Sequence, residues 1–412
     1  MTVLRARWVL PIVSPPLEHG WVAVDDGRVR AVGTGRVPPG AGQLVDLGTS
    51  AILPALVNAH THLELSYLSG RVPPAERFTD WIREVMRLRR ARPDPRDPDI
   101  LRAQRDAIAQ LERSGVGLVG DIGNTLVSVP ALAASTLQAV VFHEVLRFRA
   151  AEADAALEQA RDRLASVTTA PNVRLALAPH APYSVSPRLF ERIRTERLDG
   201  ARGGRLPHTS VHAGESAEEV ELLATGGGAF RALLEDLGAW DDEWRAPGVR
   251  PIEYLEAQGT LDARTVVVHG VHCSDDELAR VRAAGATLVT CPRSNVHVGV
   301  GAPPVARFYE AGVRVAVGTD SLASAPDLSV LPELALMRRL APAVPARLLL
   351  ESATRAGARA LGFEDWGTIV PGARAALIAI GVPGGTPDIE EHLVSGITDD
   401  RVTRLDPFTA ER

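Results

Sequence analysis

The chain contains no lysine: all 45 of its basic residues are arginine. A biased nucleotide composition accounts for this, yet the absence still excludes chemistry. No lysine can serve as a Schiff-base nucleophile, a P-loop phosphate ligand or a carbamylated bridge between metal ions. Cysteine is scarce too. Cys273 and Cys291 are the only two and form no Cys-x-x-Cys pair. A zinc–thiolate framework is thereby excluded, and a disulfide scaffold is not expected. No basic tract or aromatic-interleaved basic stripe occurs, and the net charge is −6, which argues against nucleic acid as a partner. Long apolar runs are missing as well. The run at 8–13 is broken by Pro11 and followed by no small-residue cleavage site. Neither a signal peptide nor a membrane span is expected, and the cytoplasm is the default location.

What is present is an enzyme-sized chain of 412 residues, 45% hydrophobic and 23% charged, with ample material for a core. Residues 21–32 form two alternating runs around Asp26-Gly27, a β-hairpin signal. From about residue 51 short apolar runs alternate with helical stretches. The expected strands are 52–58, 117–122, 139–145, 173–178, 209–211, 265–268, 287–290 and 313–317. Eight β–α repeats predict an α/β fold, a (β/α)8 TIM-like barrel. A doubly wound sheet is the weaker alternative, because no Gly-x-Gly-x-x-Gly follows any early strand. Residues 326–361 read as helices, and strand-like text returns at 368–370 and 375–380. The expected division is a barrel over 51–366 and a small discontinuous β-sandwich domain built from 1–50 and 367–412. The stretch 226–250, rich in glycine and acidic residues, is too long for a usual connection and reads as an insertion or lid.

Barrel enzymes place their chemistry at the carboxyl ends of the strands. Most of the 11 histidines fall there: His60 and His62, His143, His180, His212, and His269 with His272. Side chains two apart on a strand share a face, so His60-Thr61-His62 presents two imidazoles together. With His212 and Asp320 these form an N3O set that leaves a position for water, as a catalytic divalent site requires. Zinc suits it best, and iron or manganese also fit, because imidazole and carboxylate discriminate poorly. Glu215, three residues past His212, is the candidate proton shuttle, and His269 is preferred to His272 as the second acid/base because it sits nearer the strand end. Asp320 can also take the proton of the attacking water. A lone histidine is more often a packed or surface residue than a ligand; the ordered four-part set carries the argument. His143 and Glu144 can equally cap a strand. The run Glu218-Glu219-Val220-Glu221 reads as a solvated helix start. Trp81 reads as core packing or as an aromatic lid.

Residues 56–64, 179–183, 212–215, 268–269, 291–295 and 318–321 together resemble the amidohydrolase superfamily, and most of all its mononuclear deaminase and chlorohydrolase branch. The resemblance implies one divalent metal ion, most suitably zinc, on His60, His62, His212 and Asp320. It implies proton shuttling by Glu215 and His269, and substrate contact by His180; Trp81 and Arg149 are expected to help define the pocket. The binuclear branches need a carbamylated lysine, which this chain lacks. The implied reaction is hydrolytic deamination of an amino-purine nucleoside-like small molecule such as adenosine, S-adenosylhomocysteine or 6-aminodeoxyfutalosine. Ser69-Gly70 stands where adenosylhomocysteine deaminases tend to carry Arg-Gly. His62-Leu63-Glu64-Leu65-Ser66 with Phe78 and Trp81 is similar to aminofutalosine deaminases. A chlorohydrolase or cyclic-amide hydrolase is the alternative, and a non-catalytic scaffold a weaker one, since no ligand is missing. Oligomeric state is open at this level, with a homodimer plausible.

Overall fold

The computed structural model describes residues 1–37, 42–202 and 206–405; the expected end of the flanking domain at 406–412 lies outside them. Eight parallel strands form two four-stranded arcs. The first arc is β1 (Leu56–Thr61), β2 (Val116–Gly123), β3 (Gln138–Val145) and β4 (Val173–Pro179) in spatial sequence. The second is β5 (Thr209–Ala213), β6 (Thr265–His269), β7 (Thr287–Thr290) and β8 (Arg314–Val317). All pairings within the arcs are parallel. Their near-continuous apolar text fits strands buried on both faces. The intervening helices carry an apolar stripe inward. One example, Pro187–Arg202, buries Leu189, Phe190 and Ile193, spaced for a single helical face. Another, Asp275–Ala284, starts on a Ser274/Glu277 capping box and ends at Gly285 in the left-handed conformation, as helix-end chemistry favours.

The two arcs meet through side chains and backbone rather than long ladders. Between β4 and β5, Thr209 Oγ1 donates to the Leu177 carbonyl at 2.8 Å and the His212 amide donates to the His180 carbonyl at 2.9 Å. Between β8 and β1, the amides of Thr319 and Asp320 both donate to the His60 carbonyl at 3.1 Å. Asn58 reinforces that seam: its Nδ2 donates to Thr319 Oγ1 at 2.7 Å, and its Oδ1 accepts from the Thr319 amide at 3.2 Å.

Two further sheets flank the arcs. One holds Arg28–Thr34, Gly20–Asp25, Thr2–Arg5 and Gln43–Asp46; the other holds Val402–Leu405, Leu377–Ile380, Ala51–Pro54, Trp8–Val9 and Leu17–Glu18. The expected hairpin is present, with Asp26 at φ 48° and Gly27 at φ 65°, the two positive dihedrals a tight hairpin turn requires. The stretch 52–58 is not one strand. Ala51–Pro54 pairs with Leu377–Ile380, while Leu56–Thr61 belongs to the first arc. The hand-over is at Ala55, whose amide donates to the Ala376 carbonyl, whereas the Leu56 amide donates to Gly115. Both segments are wholly buried, so no change of pattern marks the switch. Residues 368–370 join no ladder, though the Ile369 amide donates to the Pro11 carbonyl.

Gly318 sits at the β8–β1 seam, where an added Cβ would lie 2.7 Å from the His60 carbonyl oxygen and 2.8 Å from the His60 Cβ. Gly318→Ala must therefore push the seam apart. A cost of about 1–3 kcal/mol is expected, read as a lower denaturant midpoint with an unchanged slope.

Candidate metal centre and active site

Three imidazoles and one carboxylate converge at the carboxyl ends of β1, β5 and β8. Ligand nitrogens of His60, His62 and His212 lie within 4.8 Å of one another. Asp320 Oδ1 lies 3.9 Å from His60 Nε2 and 3.5 Å from His62 Nε2. His60 is fully buried, and neither of its ring nitrogens has a hydrogen-bond partner. Buried orphaned polar atoms are costly, about 1–3 kcal/mol each, so this ring is built for a ligand. Burial, then the neighbouring imidazoles, hold the His60 pKa well below its usual value. Burial and His180 lower that of His212 to about 3. The His60 and His212 rings are therefore neutral, with lone pairs to give. His212 Nδ1 meets the His180 carbonyl at 2.9 Å. That bond places the proton on Nδ1 and turns the Nε2 lone pair to the cluster. Asp320 Oδ2 accepts from Ser294 Oγ at 2.6 Å, leaving Oδ1 toward the imidazoles. Burial raises the Asp320 pKa, but His62, His269 and Ser294 outweigh it and the net shift is downward. Neutral imidazoles and an ionised carboxylate are the donor set that a divalent ion such as zinc takes.

Two non-glycine residues of the site carry backbone strain. Asp320 and His269 both adopt the left-handed conformation, at φ 58° and 79°, a cost of roughly 1–2 kcal/mol each for a non-glycine residue. At Asp320 the strain is held by the bond from its amide to His60 and by Thr61 Oγ1, which donates to the Asp320 carbonyl at 2.8 Å.

Glu215 and His269 form a pair beside the cluster, with Glu215 Oε1 3.4 Å from His269 Nε2. Asn295 Nδ2 lies 3.0 Å from His269 Nδ1. A donor there occupies the Nδ1 lone pair and leaves the Nε2 hydrogen facing Glu215. His272 is turned away, its Nε2 bonded to the Val300 carbonyl at 3.0 Å. Burial, then Asp320 and Glu219, raise the Glu215 pKa well above the usual carboxylate range.

Glu219 departs from the expectation of a solvated helix start. It is fully buried, and its Oε2 accepts from the Glu215 amide at 2.9 Å. It sits in the first turn of the helix Ala217–Thr225, which Ser216 caps through the Glu219 amide. Its carboxylate thus braces the turn that carries Glu215. The sequence carried only the helix-start signal, Ser216 with Glu219 three residues on, which does not by itself imply burial. Ser294 and Asn295 were also not singled out. They follow β7 within the 291–295 segment, and Arg293 pins their helix by donating to Glu333 at 2.6 Å and to Asp327 at 2.8 and 3.0 Å.

A cavity of about 490 Å³ opens over the cluster. His62, His212, Glu215, His269 and Asp320 reach it from below, and His180, Glu144, Trp81 and Arg149 line its sides. The 226–250 stretch contributes the helix Gly228–Asp236, whose Phe230, Leu233 and Leu234 face the same cavity. Phe230 packs against Phe78 and Tyr183 at ring separations of 6.1 and 4.0 Å. Arg149 Nε donates to the Trp240 carbonyl at 3.0 Å and Arg83 pairs with Asp236 at 2.9 Å, tying the insertion to the rim.

Burial raises the Glu219 pKa to about 8. A carboxyl whose folded pKa is raised stabilises fully below its unfolded pKa and loses that contribution as pH rises through the folded value. Stability of the metal-free chain should therefore fall between about pH 4.5 and 8, and Glu219→Gln should flatten that slope in denaturant titrations across pH.

Among known proteins, the profile of the amidohydrolase family matches residues 51–405. The chain is 36% identical over 329 residues to an aminodeoxyfutalosine deaminase of Deinococcus radiodurans, covering 76% of this chain and 74% of that protein. It is 32% identical over 381 residues to a 5-methylthioadenosine/S-adenosylhomocysteine deaminase of Halobacterium salinarum, covering 90% and 81%. The crystal structure of Helicobacter pylori aminofutalosine deaminase with methylthio-coformycin superposes with a TM-score of 0.82 at 28% identity, covering 96% of this chain and 95% of that one. A zinc-bound adenosine deaminase from Xanthomonas campestris gives 0.76 at 26% identity, covering 98% and 90%. These neighbours share the mixed α/β barrel-type architecture. The match over the strand ends that carry the histidines and Asp320 makes this chain a member of the amidohydrolase family.

Proposed function

We propose that this chain is a metal-dependent hydrolase that deaminates an amino-purine nucleoside-like substrate, the class that contains adenosine, 5′-methylthioadenosine, S-adenosylhomocysteine and 6-aminodeoxyfutalosine. The observation that carries the reading is the Glu215–His269 pair, 3.4 Å apart, beside an N3O donor set in one cavity. The names of the two curated relatives and the methylthio-coformycin held by the Helicobacter neighbour support the substrate class. The architecture fits the same reading: the two arcs taken as one closed (β/α)8 barrel, beside a discontinuous β-sandwich domain from both ends of the chain. The pairing of Ala51–Pro54 with Leu377–Ile380 supports taking that domain's first segment to about residue 54.

His60, His62, His212 and Asp320 would hold the ion, zinc by donor type. Such an ion, when bound, supplies water activation near neutral pH. The remaining work belongs to the chain. Glu215, protonated in its buried setting, gives its proton to the ring nitrogen beside the amino-bearing carbon as water adds there. Asp320 takes a proton from that water and passes it to the amine. As the C–N bond breaks and ammonia leaves, the remaining hydroxyl proton of the added water returns to Glu215, which ends protonated as it began. His269 holds charge that develops on the added oxygen through its Nε2 hydrogen, a preorganised donor in a dry site. His180, Trp81 and Arg149 position the substrate from the sides.

Ammonia release from a panel of amino-purine nucleosides tests the reading; no turnover by metal-loaded protein across the panel overturns it, and chloride release from halogenated heterocycles instead would reassign the leaving group. Glu215→Gln should keep its metal by elemental analysis and lose roughly 100- to 10,000-fold in kcat. His212→Ala should lose the metal itself.

A further inference from the structure

One buried carboxylate in the cavity wall has no part in the chemistry above. Glu144 stands at the end of β3 with its side chain only 5% exposed. One of its oxygens is clamped: Asn124 Nδ2 donates to Glu144 Oε2 at 3.0 Å and to the Glu144 carbonyl at 3.1 Å. Asn124 is itself fixed, because its amide donates to Glu64 Oε2 at 3.0 Å. The other oxygen, Oε1, is buried with no hydrogen-bond partner, and Glu144 lines the cavity. Nature rarely leaves a buried carboxylate oxygen unpaired.

The neighbours of Oε1 cannot satisfy it. His212 Nδ1 is 3.6 Å away, but its hydrogen is committed to the His180 carbonyl. His180 Nε2 is 4.0 Å away. His180 Nδ1 lies 2.5 Å from Ser184 Oγ, and that hydroxyl donates to the Ala181 carbonyl at 3.2 Å. Ser184 Oγ is therefore the acceptor for the Nδ1 hydrogen, which leaves Nε2 of His180 a bare lone pair. The wall thus presents two acceptors 4.0 Å apart with no donor between them. A ligand with two adjacent donors complements that arrangement, and a vicinal diol is such a ligand. A cation is the competing occupant, since Glu144, His180 and His212 have ligand atoms within 4.8 Å of one another. His212, however, has no lone pair left: Nδ1 is protonated toward a carbonyl and Nε2 faces the main cluster.

We propose that Glu144 is a specificity-determining residue whose free oxygen accepts a hydroxyl of the substrate's sugar, with His180 Nε2 taking the adjacent one, so that the site selects a ribose diol. The proposal rests on the nucleoside reading above. Loss of one charge-assisted hydrogen bond changes kcat/KM by roughly 10- to 100-fold, and a site built around a hydroxyl disfavours the analogue that lacks it because its own polar groups stay unpaired.

The test compares 5′-methylthioadenosine with its 2′-deoxy, 3′-deoxy and 2′,3′-dideoxy forms on wild type, Glu144→Ala and the isosteric Glu144→Gln. Ammonia release gives turnover, and calorimetry gives binding independently of it. Wild type should prefer the diol roughly 10- to 100-fold in both readouts. Glu144→Ala should reduce that preference to under about 3-fold, and Glu144→Gln should fall between, with metal content unchanged in both. Retained preference in both variants overturns the assignment, as does a second equivalent of metal in wild type that the variants lack, or loss of the main ion from both. The two readings fail differently. Diol-selective binding without ammonia release sinks only the deaminase reading; turnover with equal binding of all four forms sinks only the role of Glu144.

Discussion

The site depends on keeping a cluster of imidazoles and one carboxylate together where water is scarce. Protonated, the histidines would repel one another and any cation. Burial prevents that by making the imidazolium form costly, and the effect is deepest at His60 and His212. Burial alone would also disfavour the ionised Asp320. Its downward shift comes from the neighbouring rings and from the Ser294 hydroxyl, while burial keeps His60 and His212 unprotonated. The geometry rests on the seam between β1 and β8, where Asn58, Thr319 and the His60 carbonyl join residues some 260 positions apart.

Around that core lies a layer that touches no substrate and sets everything that does. Ser294 and Asn295 are adjacent on one short helix, yet they address different groups, the Asp320 carboxylate and the His269 ring. A single displacement of that helix would disturb both, and the Arg293 ion pairs with Glu333 and Asp327 oppose such a displacement. On the opposite side Glu219 braces the turn that follows β5. Functional groups held within a fraction of an ångström need supporting bonds of this kind. The positive φ of His269 and Asp320 shows that the support also holds strain.

Above the cluster the cavity changes character. Its floor is polar and titratable, whereas its roof is apolar, built from the insertion helix against Phe78, Trp81 and Tyr183. The insertion is held to the rim by buried packing of Phe230, Leu233 and Leu234 with Phe78, Phe148 and Tyr183, and by the polar contacts of Arg83 to Asp236 and Arg149 to Trp240. Such an apolar roof over a polar floor keeps water away from the reacting groups.

Much of this was legible in the one-dimensional text. Alternating apolar runs and helical stretches announce the repeated β–α plan, and histidines at the run ends mark the candidate metal ligands, because a strand places alternate residues on one face and its end at one mouth of the fold. The Asp26-Gly27 turn was equally readable, since few residue pairs accept two positive dihedrals. Other features needed the folded chain. The division of 52–58 between two sheets leaves no trace in a uniformly apolar run. The burial of Glu219, the bond from Asn295 to His269 and the unpaired oxygen of Glu144 each arise from neighbours tens to hundreds of residues away or from a helix whose solvent side is set by what packs on it. Periodicity encodes which face of an element is apolar; which polar atom inside then finds a partner, and which is left free for a ligand, is decided only when distant segments are brought into contact.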